Sequence, residues 1–488
     1  MTDMAGLILN DDFMRFVASK YHENYVFGEI TEKDVRDYIK NLKGTTVTDF
    51  VFNVNAQLSY TPSDVWETAE DKYNTVEEKG HEVNYKDTFY KAWYDLFVLQ
   101  KIDMYKIWIE ELNKIGINPW ISFRMNDIHD NDKEYGGIRR SQFFGASRKN
   151  GLCRTQHREK AGYFDDCFDL KHETVRKYHL DYIKEQTLRY DTYGVELDFM
   201  REPFLCSPGE EGKMREVLFD YIKEIRNIIN LAEKKHGHKI KLSVRCMRDP
   251  EAVYNSGMDI FRLIREEIVD LVIPSPRWQT CDTDMPLYLW KQIFKNEKVQ
   301  FAAGCELLFL TAQKKYMNIK NELLSGLAMQ YQSNGADYIY LYNHTYTEDF
   351  SPYAYLGDIK LLKEKERRHV VSFQDINYLY TSQYRPLPIK LNGGYSYLRI
   401  QTGSINDNSK VILRLGADKS LKDVYVNSAF CKKFGETEIE PEYFEGTVQE
   451  FEITKFNSDE QIVEVKCDDG AELIYAEIRV LPLTFQDS

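Results

Sequence analysis

Gly194-Val195-Glu196-Leu197-Asp198-Phe199-Met200-Arg201-Glu202 lies between two long helical patterns, 175–190 and 214–235. The run starts apolar and β-rich and ends in charged residues. This is the pattern of one βα unit: a strand buried on both faces that delivers polar groups at its C-terminal end. Worked outward in both directions, the same unit recurs. Eight such runs occur, at 5–9, 48–54, 118–123, 194–199, 239–244, 269–273, 300–303 and 338–342, with further helical patterns at 102–115 and 316–333. Eight repeats of strand and helix imply a closed (β/α)8 TIM barrel.

Two intervals are far longer than an ordinary connection of about 2–6 residues. They are 57–100 and 126–171, the second and third βα loops of the barrel, and they carry Tyr60, Trp66, Tyr73, Tyr85, Trp93, Tyr135, Phe143, Phe144 and Tyr163. Two readings stand side by side: aromatic walls of a pocket, or folded insertions with small cores of their own. After about Asp375 the pattern changes. Tyr384-Arg385-Pro386-Leu387-Pro388 reads as a linker, followed by alternating runs at 395–401, 410–415, 424–427, 448–454, 461–467 and 473–480. Short strands at this spacing imply a C-terminal antiparallel β-sandwich. The expected division is a barrel over 1–375 and a sandwich over 385–488.

The 488 residues, 43% of them hydrophobic, suffice for two large cores and exclude a disordered or fibrous chain. A net charge of −14 disfavours nucleic acid and anionic membrane surfaces as partners. No apolar stretch is long enough to span a bilayer, and Asn10-Asp11-Asp12 interrupts the N-terminus too early for a signal peptide, so a cytoplasmic protein is expected; a trimmed secreted form stays open. Eight cysteines without CxxC spacing read as reduced thiols. No Walker loop or GxGxxG follows a strand and no GxSxG elbow occurs; no cofactor and no metal are expected.

In a TIM barrel the chemistry sits at the strand C-termini. Those positions are polar here: Asn10-Asp11-Asp12, then Asn53 and Asn55 with Gln57, Arg124-Met125-Asn126-Asp127-Ile128-His129, Glu196 to Glu202, Arg245, Ser275 and Arg277, Glu306, and Asn343 with His344. Arg124, Arg201, Arg245 and Arg277 would share one rim, which suits an anionic substrate held through planar guanidinium groups. The alternative for each is a pair with a neighbouring acid, Asp127, Glu202, Asp249 or Asp282. His129 follows Asp127 by two residues, the same side of an extended segment, so Asp127 is placed to orient the imidazole as a general base. One of Asp11 and Asp12 should face the barrel mouth as an acid, unless it is a helix cap or a buried structural carboxylate. Glu196 or Asp198 with Glu306 offers a rival, the two carboxylates of a retaining glycosidase. A third reading is a glycan-binding barrel without catalysis.

On Asn10-Asp11-Asp12, Arg124 to His129, Asp198-Phe199-Met200-Arg201-Glu202 and Asn343, the chain resembles glycoside hydrolase family 156, the inverting exo-sialidases, over about residues 5–350. The resemblance implies a terminal sialic acid as substrate, His129 as the base that activates water, Asp127 as its orienter and Asp11 as acid or charge stabiliser. It makes Asn343 a substrate-binding residue, beside Arg124, Asn126, Arg201, Arg245 and Arg277. The physical chemistry agrees. A sialoside carries a carboxylate on its anomeric carbon, which repels an anionic nucleophile or base but not a neutral imidazole. The expected partner is a sialylated glycan or another anionic sugar, and a homodimer is admissible.

Overall fold

The computed structural model describes residues 6–20, 25–78, 85–129, 140–154, 164–277, 280–313, 316–343, 350–372, 386–457, 459–467 and 470–483. Eight parallel strands form a closed barrel: Gly6–Asp12, Val47–Asn53, Asn118–Arg124, Gly194–Asp198, Lys241–Met247, Leu271–Ser275, Gln300–Cys305 and Tyr338–Tyr342. The first strand closes the ring against the eighth, with Gly6 opposite Tyr338 and Asn10 opposite Tyr342.

Alternation along each strand divides the side chains between two cores. Leu7 and Leu9 face outward, into the large core between strands and helices. Ile8 points inward, into a compact group with Val51, Trp120, Leu271, Ile273, Ala302, Tyr340 and Tyr342. Trp120 fills the barrel only because its neighbour has no side chain: a Cβ at Gly194 would lie 2.2 Å from the indole ring. Above this apolar layer the inward positions turn polar, which sets the floor of the site.

The outer layer is held by aromatic packing and helix caps. Trp108, on the helix Met104–Ile115, is wholly buried among Phe16, Tyr38, Phe50, Phe52 and Tyr105. Asp103 caps that helix by accepting the Lys106 N–H at 3.1 Å, and Gly116 ends it with φ +78°. The second βα loop is a helical insertion, Ala69–Glu78 and Tyr85–Tyr94 followed by a π turn at Asp95–Leu99. Its Tyr60, Trp66, Tyr73 and Trp93 are buried and join the main core, so these rings hold a folded insertion together. In the third loop Phe144 is buried and Phe143 stacks on Tyr178 with centroids 3.9 Å apart. Tyr135, Tyr163 and the Tyr85 side chain lie outside what is described.

The C-terminal part is a sandwich of two antiparallel sheets. One is six-stranded and the other runs Tyr395–Gln401, Glu460–Lys466, Asp423–Val426, Ala429–Phe430. The six-stranded sheet includes Arg367–Val370, paired with Glu472–Pro482 through Arg367 opposite Val480. Antiparallel pairing therefore starts before Asp375. Leu398, Val411, Leu413, Val463, Val465 and Ile478 fill the space between the sheets, while Tyr443, Phe444, Val448 and Tyr475 join the barrel's core. Among the described residues no helix is long and apolar enough to cross a membrane, and all eight cysteines are free thiols.

Candidate active site

Arg124 is the last residue of the third strand, and its side chain is almost wholly buried. The chain then turns, and Asp127 Oδ1 accepts the backbone N–H of His129 at 2.9 Å and lies 2.5 Å from its ring Nδ1. The carboxylate thus orders both the turn and the imidazole, so the pairing arises from a turn where the sequence suggested an extended segment. A carboxylate at Nδ1 favours the proton on that nitrogen. Gln57 donates to the His129 carbonyl and fixes the segment further.

Arg201 follows the fourth strand and comes down on the same pair. Its NH2 nitrogen is 2.9 Å from His129 Nε2 and 3.4 Å from Nδ1, and its Nε is 3.7 Å from Asp127 Oδ2. An atom on the lone-pair axis of one ring nitrogen is remote from the other. Contact with both therefore puts the guanidinium over the imidazole face. Arg124 NH1 stands 3.4 Å from Asp127 Oδ2. Both arginines donate to one phenol, Tyr342, at 3.4 Å from Arg124 and 3.5 Å from Arg201. Burial opposes the charge on Asp127, but His129, Arg201 and Arg124 hold its carboxyl well below the ordinary carboxylate range.

Across the barrel a second network is self-compensated. Arg245 NH1 bonds Asp198 at 3.2 and 3.3 Å, its NH2 bonds Glu306, and its Nε reaches Ser275 Oγ at 3.2 Å. Its guanidinium carbon lies 3.8 Å over the Tyr342 ring. Arg277 is paired with Glu202, whose carboxyl burial pushes up to about 7 against the pull of Arg277 and Arg201. Burial also raises Glu306. One layer deeper, Glu196 accepts from Ser122 Oγ at 2.6 Å and Tyr340 at 3.0 Å, and burial together with Asp198 moves its carboxyl upward.

The sequence-derived candidates separate accordingly. Arg124, Asp127, His129 and Arg201 come together. Arg245 and Arg277 line the same interior but are held by carboxylates, two of the acids being Asp198 and Glu306 of the rival pair. Asn126 spends its amide on the backbone, donating to Phe168 O at 3.3 Å and Phe204 O at 3.1 Å and accepting the Phe168 N–H at 3.0 Å. Asn343 adopts φ +61° and donates its N–H to Asn10 O at 3.0 Å; its buried Oδ1 has no hydrogen-bond partner among the described residues. Asn10 Nδ2 and Asn53 Oδ1, beside it, are in the same state.

Asp11, the expected acid of the pair Asp11-Asp12, does not face the mouth. It shares the outward alternation of Leu7 and Leu9, accepts from Tyr38 of the helix Glu32–Lys40, and lies 4.0 Å from Arg15. It ties the strand to the helical layer. The Asp12 side chain and His344 lie outside the described residues. Tyr342 was missed, although the alternation Tyr338-Ile339-Tyr340-Leu341-Tyr342 already marks three tyrosines on one face. No group of three or more His, Cys, Asp or Glu placed to hold a metal occurs among the described residues.

No family profile matches the sequence, and no curated protein sequence does. Similar solved structures are alpha-L-fucosidase isoenzyme 2 from Paenibacillus thiaminolyticus, 14% identical over 73% of this chain and 49% of that one, TM-score 0.40. Isoenzyme 1 from the same organism is 12% identical over 96% and 97%, TM-score 0.36. An alpha-galactosidase from Geobacillus stearothermophilus, in complex with raffinose, is 11% identical over 98% and 56%, TM-score 0.36. The chain spans about half the length of the first of these, and none of the likenesses assigns a role to a residue.

Proposed function

We propose that this protein is an inverting glycoside hydrolase that releases a terminal sugar bearing a carboxylate at its anomeric carbon, a sialic acid, with His129 activating the water. The observation that carries the reading is the meeting of Arg124 and Arg201, from adjacent strands, at one phenol beside the Asp127–His129 pair. Two planar guanidiniums that already converge on one point can turn onto an incoming carboxylate, and bidentate geometry orients it.

In this reading the substrate carboxylate lies against Arg124 and Arg201, which turns the anomeric carbon toward His129. The imidazole takes a proton from the attacking water through Nε2, the nitrogen that Arg201 contacts until its guanidinium turns onto the substrate carboxylate, and Asp127 stabilises the imidazolium that forms. A carboxylate base or nucleophile in that position would meet the substrate's own charge. As the glycosidic bond breaks, positive charge develops on the ring, faced by the buried acids around Arg245 and the phenol of Tyr342, and the leaving oxygen takes a proton from a carboxyl that burial keeps protonated, for which Glu202, pushed up to about 7, is the candidate. The unpartnered Asn10, Asn53 and Asn343 side-chain atoms supply acceptors and a donor for hydroxyls. Asp11 takes no part in the chemistry. The retaining alternative finds less support, because Asp198 and Glu306 share the Arg245 guanidinium, which lowers the nucleophilicity of both.

The test is hydrolysis of a fluorogenic sialoside beside a panel of neutral fluorogenic glycosides. Turnover of the sialoside alone is expected. Turnover confined to a neutral glycoside would overturn the substrate assignment.

A further inference from the structure

Beside the rim that carries Arg245 and Arg277 runs a second cleft, of about 530 Å³. Its barrel wall comes from the C-terminal face: Arg248, three residues beyond Arg245, and Asp284 and Tyr288, from the connection and helix after the sixth strand. Its other wall is the outer face of the sandwich strand Tyr395–Gln401, with Tyr397 and Arg399. The cleft thus opens on the side of the barrel where the strands end, and both domains build it.

The lining is aromatic and polar at once. Tyr288 is 50% exposed and Tyr397 60%. A ring exposed to that degree is a flat apolar surface kept in water, which the fold does not require and a ligand can cover. Arg399 holds Asp284 through two parallel bonds of 2.9 and 2.8 Å, Gln401 donates to the same carboxylate at 2.8 Å, and Arg248 lies 3.0 Å from Asp282. The cations are balanced in place, so the cleft has little net charge to attract an ion. Its guanidinium N–H groups and carboxylate lone pairs stand side by side in planar, ordered arrays. Close donors and acceptors around exposed rings match a ligand whose hydroxyls both donate and accept and whose ring C–H faces are apolar.

We infer that this cleft is a subsite for the uncharged oligosaccharide part of the substrate, the sugar rings stacking on Tyr397 and Tyr288 while hydroxyls bond Arg248, Asp284 and Arg399. The inference rests on the glycoside hydrolase reading and extends it: the enzyme acts on the ends of chains, and holds the chain as well as the terminal sugar.

The test compares Tyr397→Ala and Tyr288→Ala with the native protein on two substrates, a small fluorogenic sialoside and a sialic acid-capped N-acetyllactosamine hexasaccharide. For each variant KM for the hexasaccharide should rise about tenfold, the worth of one stacked ring, with kcat and the small substrate unchanged. Equal KM for the hexasaccharide in all three proteins would overturn the subsite. A second readout needs no turnover: saturation-transfer NMR of the neutral, uncapped hexasaccharide on His129→Ala protein should show contacts that vanish when Tyr397→Ala is added. If neither sialoside is cleaved but these contacts appear, the reaction reading fails and the cleft stands. If light scattering instead shows Tyr397→Ala splitting a dimer, the strip is a contact between copies and the subsite is refuted.

Discussion

The chemistry assigned to His129 depends on a single carboxylate oxygen. Asp127 Oδ1 accepts both the backbone N–H and the ring Nδ1 of His129, so removing its charge should weaken orientation without removing the base. His129→Ala is expected to lower kcat roughly 10²–10⁴-fold with KM little changed, and Asp127→Asn to lower it less; steady-state kinetics on the fluorogenic sialoside checks both. Unchanged kcat in His129→Ala would remove the base assignment. At this scale the sequence was legible where spacing is short. Asp127 and His129 are two residues apart, so their pairing survived even though a turn replaced the extended segment. Asp11 was misplaced for a physical reason: Leu7, Ile8 and Leu9 are all apolar because the strand is buried on both faces, so no polar alternation tells inside from outside. The side chain of Asn126 was ambiguous for a related reason, since an amide at a strand end serves backbone or ligand equally well.

Among the elements, the fourth strand makes its own demands. Gly194 leaves room for Trp120, and Gly194→Ala brings a Cβ to 2.2 Å from that ring. The substitution should destabilise the barrel by about 1–3 kcal/mol, as overpacking does, and calorimetry should show the loss largely recovered in Gly194→Ala combined with Trp120→Leu. Glu196, two residues on, gives the strand a pH dependence. Its folded carboxyl titrates above the unfolded value of about 4.3, so in that window the folded protein binds more protons than the unfolded one, and stability falls as pH rises. Glu196→Gln should therefore gain in Tm relative to the native protein between pH 5 and pH 8; a constant Tm difference across that range would contradict the shift. The eighth strand was read at its true limits, 338–342, because three tyrosines alternate with Ile339 and Leu341. The helical pattern beginning at 316 was read too long, since Tyr316–Asn318 pairs with Leu308–Leu310 before the helix starts at Asn321. Arg367–Val370 was missed altogether: Arg-Arg-His-Val has no strand pattern of its own and becomes one by pairing with Glu472–Pro482.

On the scale of the whole molecule, barrel and sandwich were legible because strand period and helix period differ, and the change of period near Asp375 is visible without any structure. The joint between them was not legible, because Tyr443, Phe444, Val448 and Tyr475 reach the barrel's core from strands and turns distant in sequence. Nor does a net charge of −14 reveal that four arginines gather at one rim among buried acids. The convergence of Arg124 and Arg201 on Tyr342, set beside a carboxylate-oriented imidazole, leads to the central claim of water attack on an anionic sugar. The direct measurement is ¹H NMR of the sugar first released from an α-sialoside, recorded before mutarotation mixes the anomers. Attack by a His129-activated water predicts the inverted anomer, β-sialic acid, in the first spectra; first release of the α anomer would contradict it and return the chemistry to a carboxylate nucleophile.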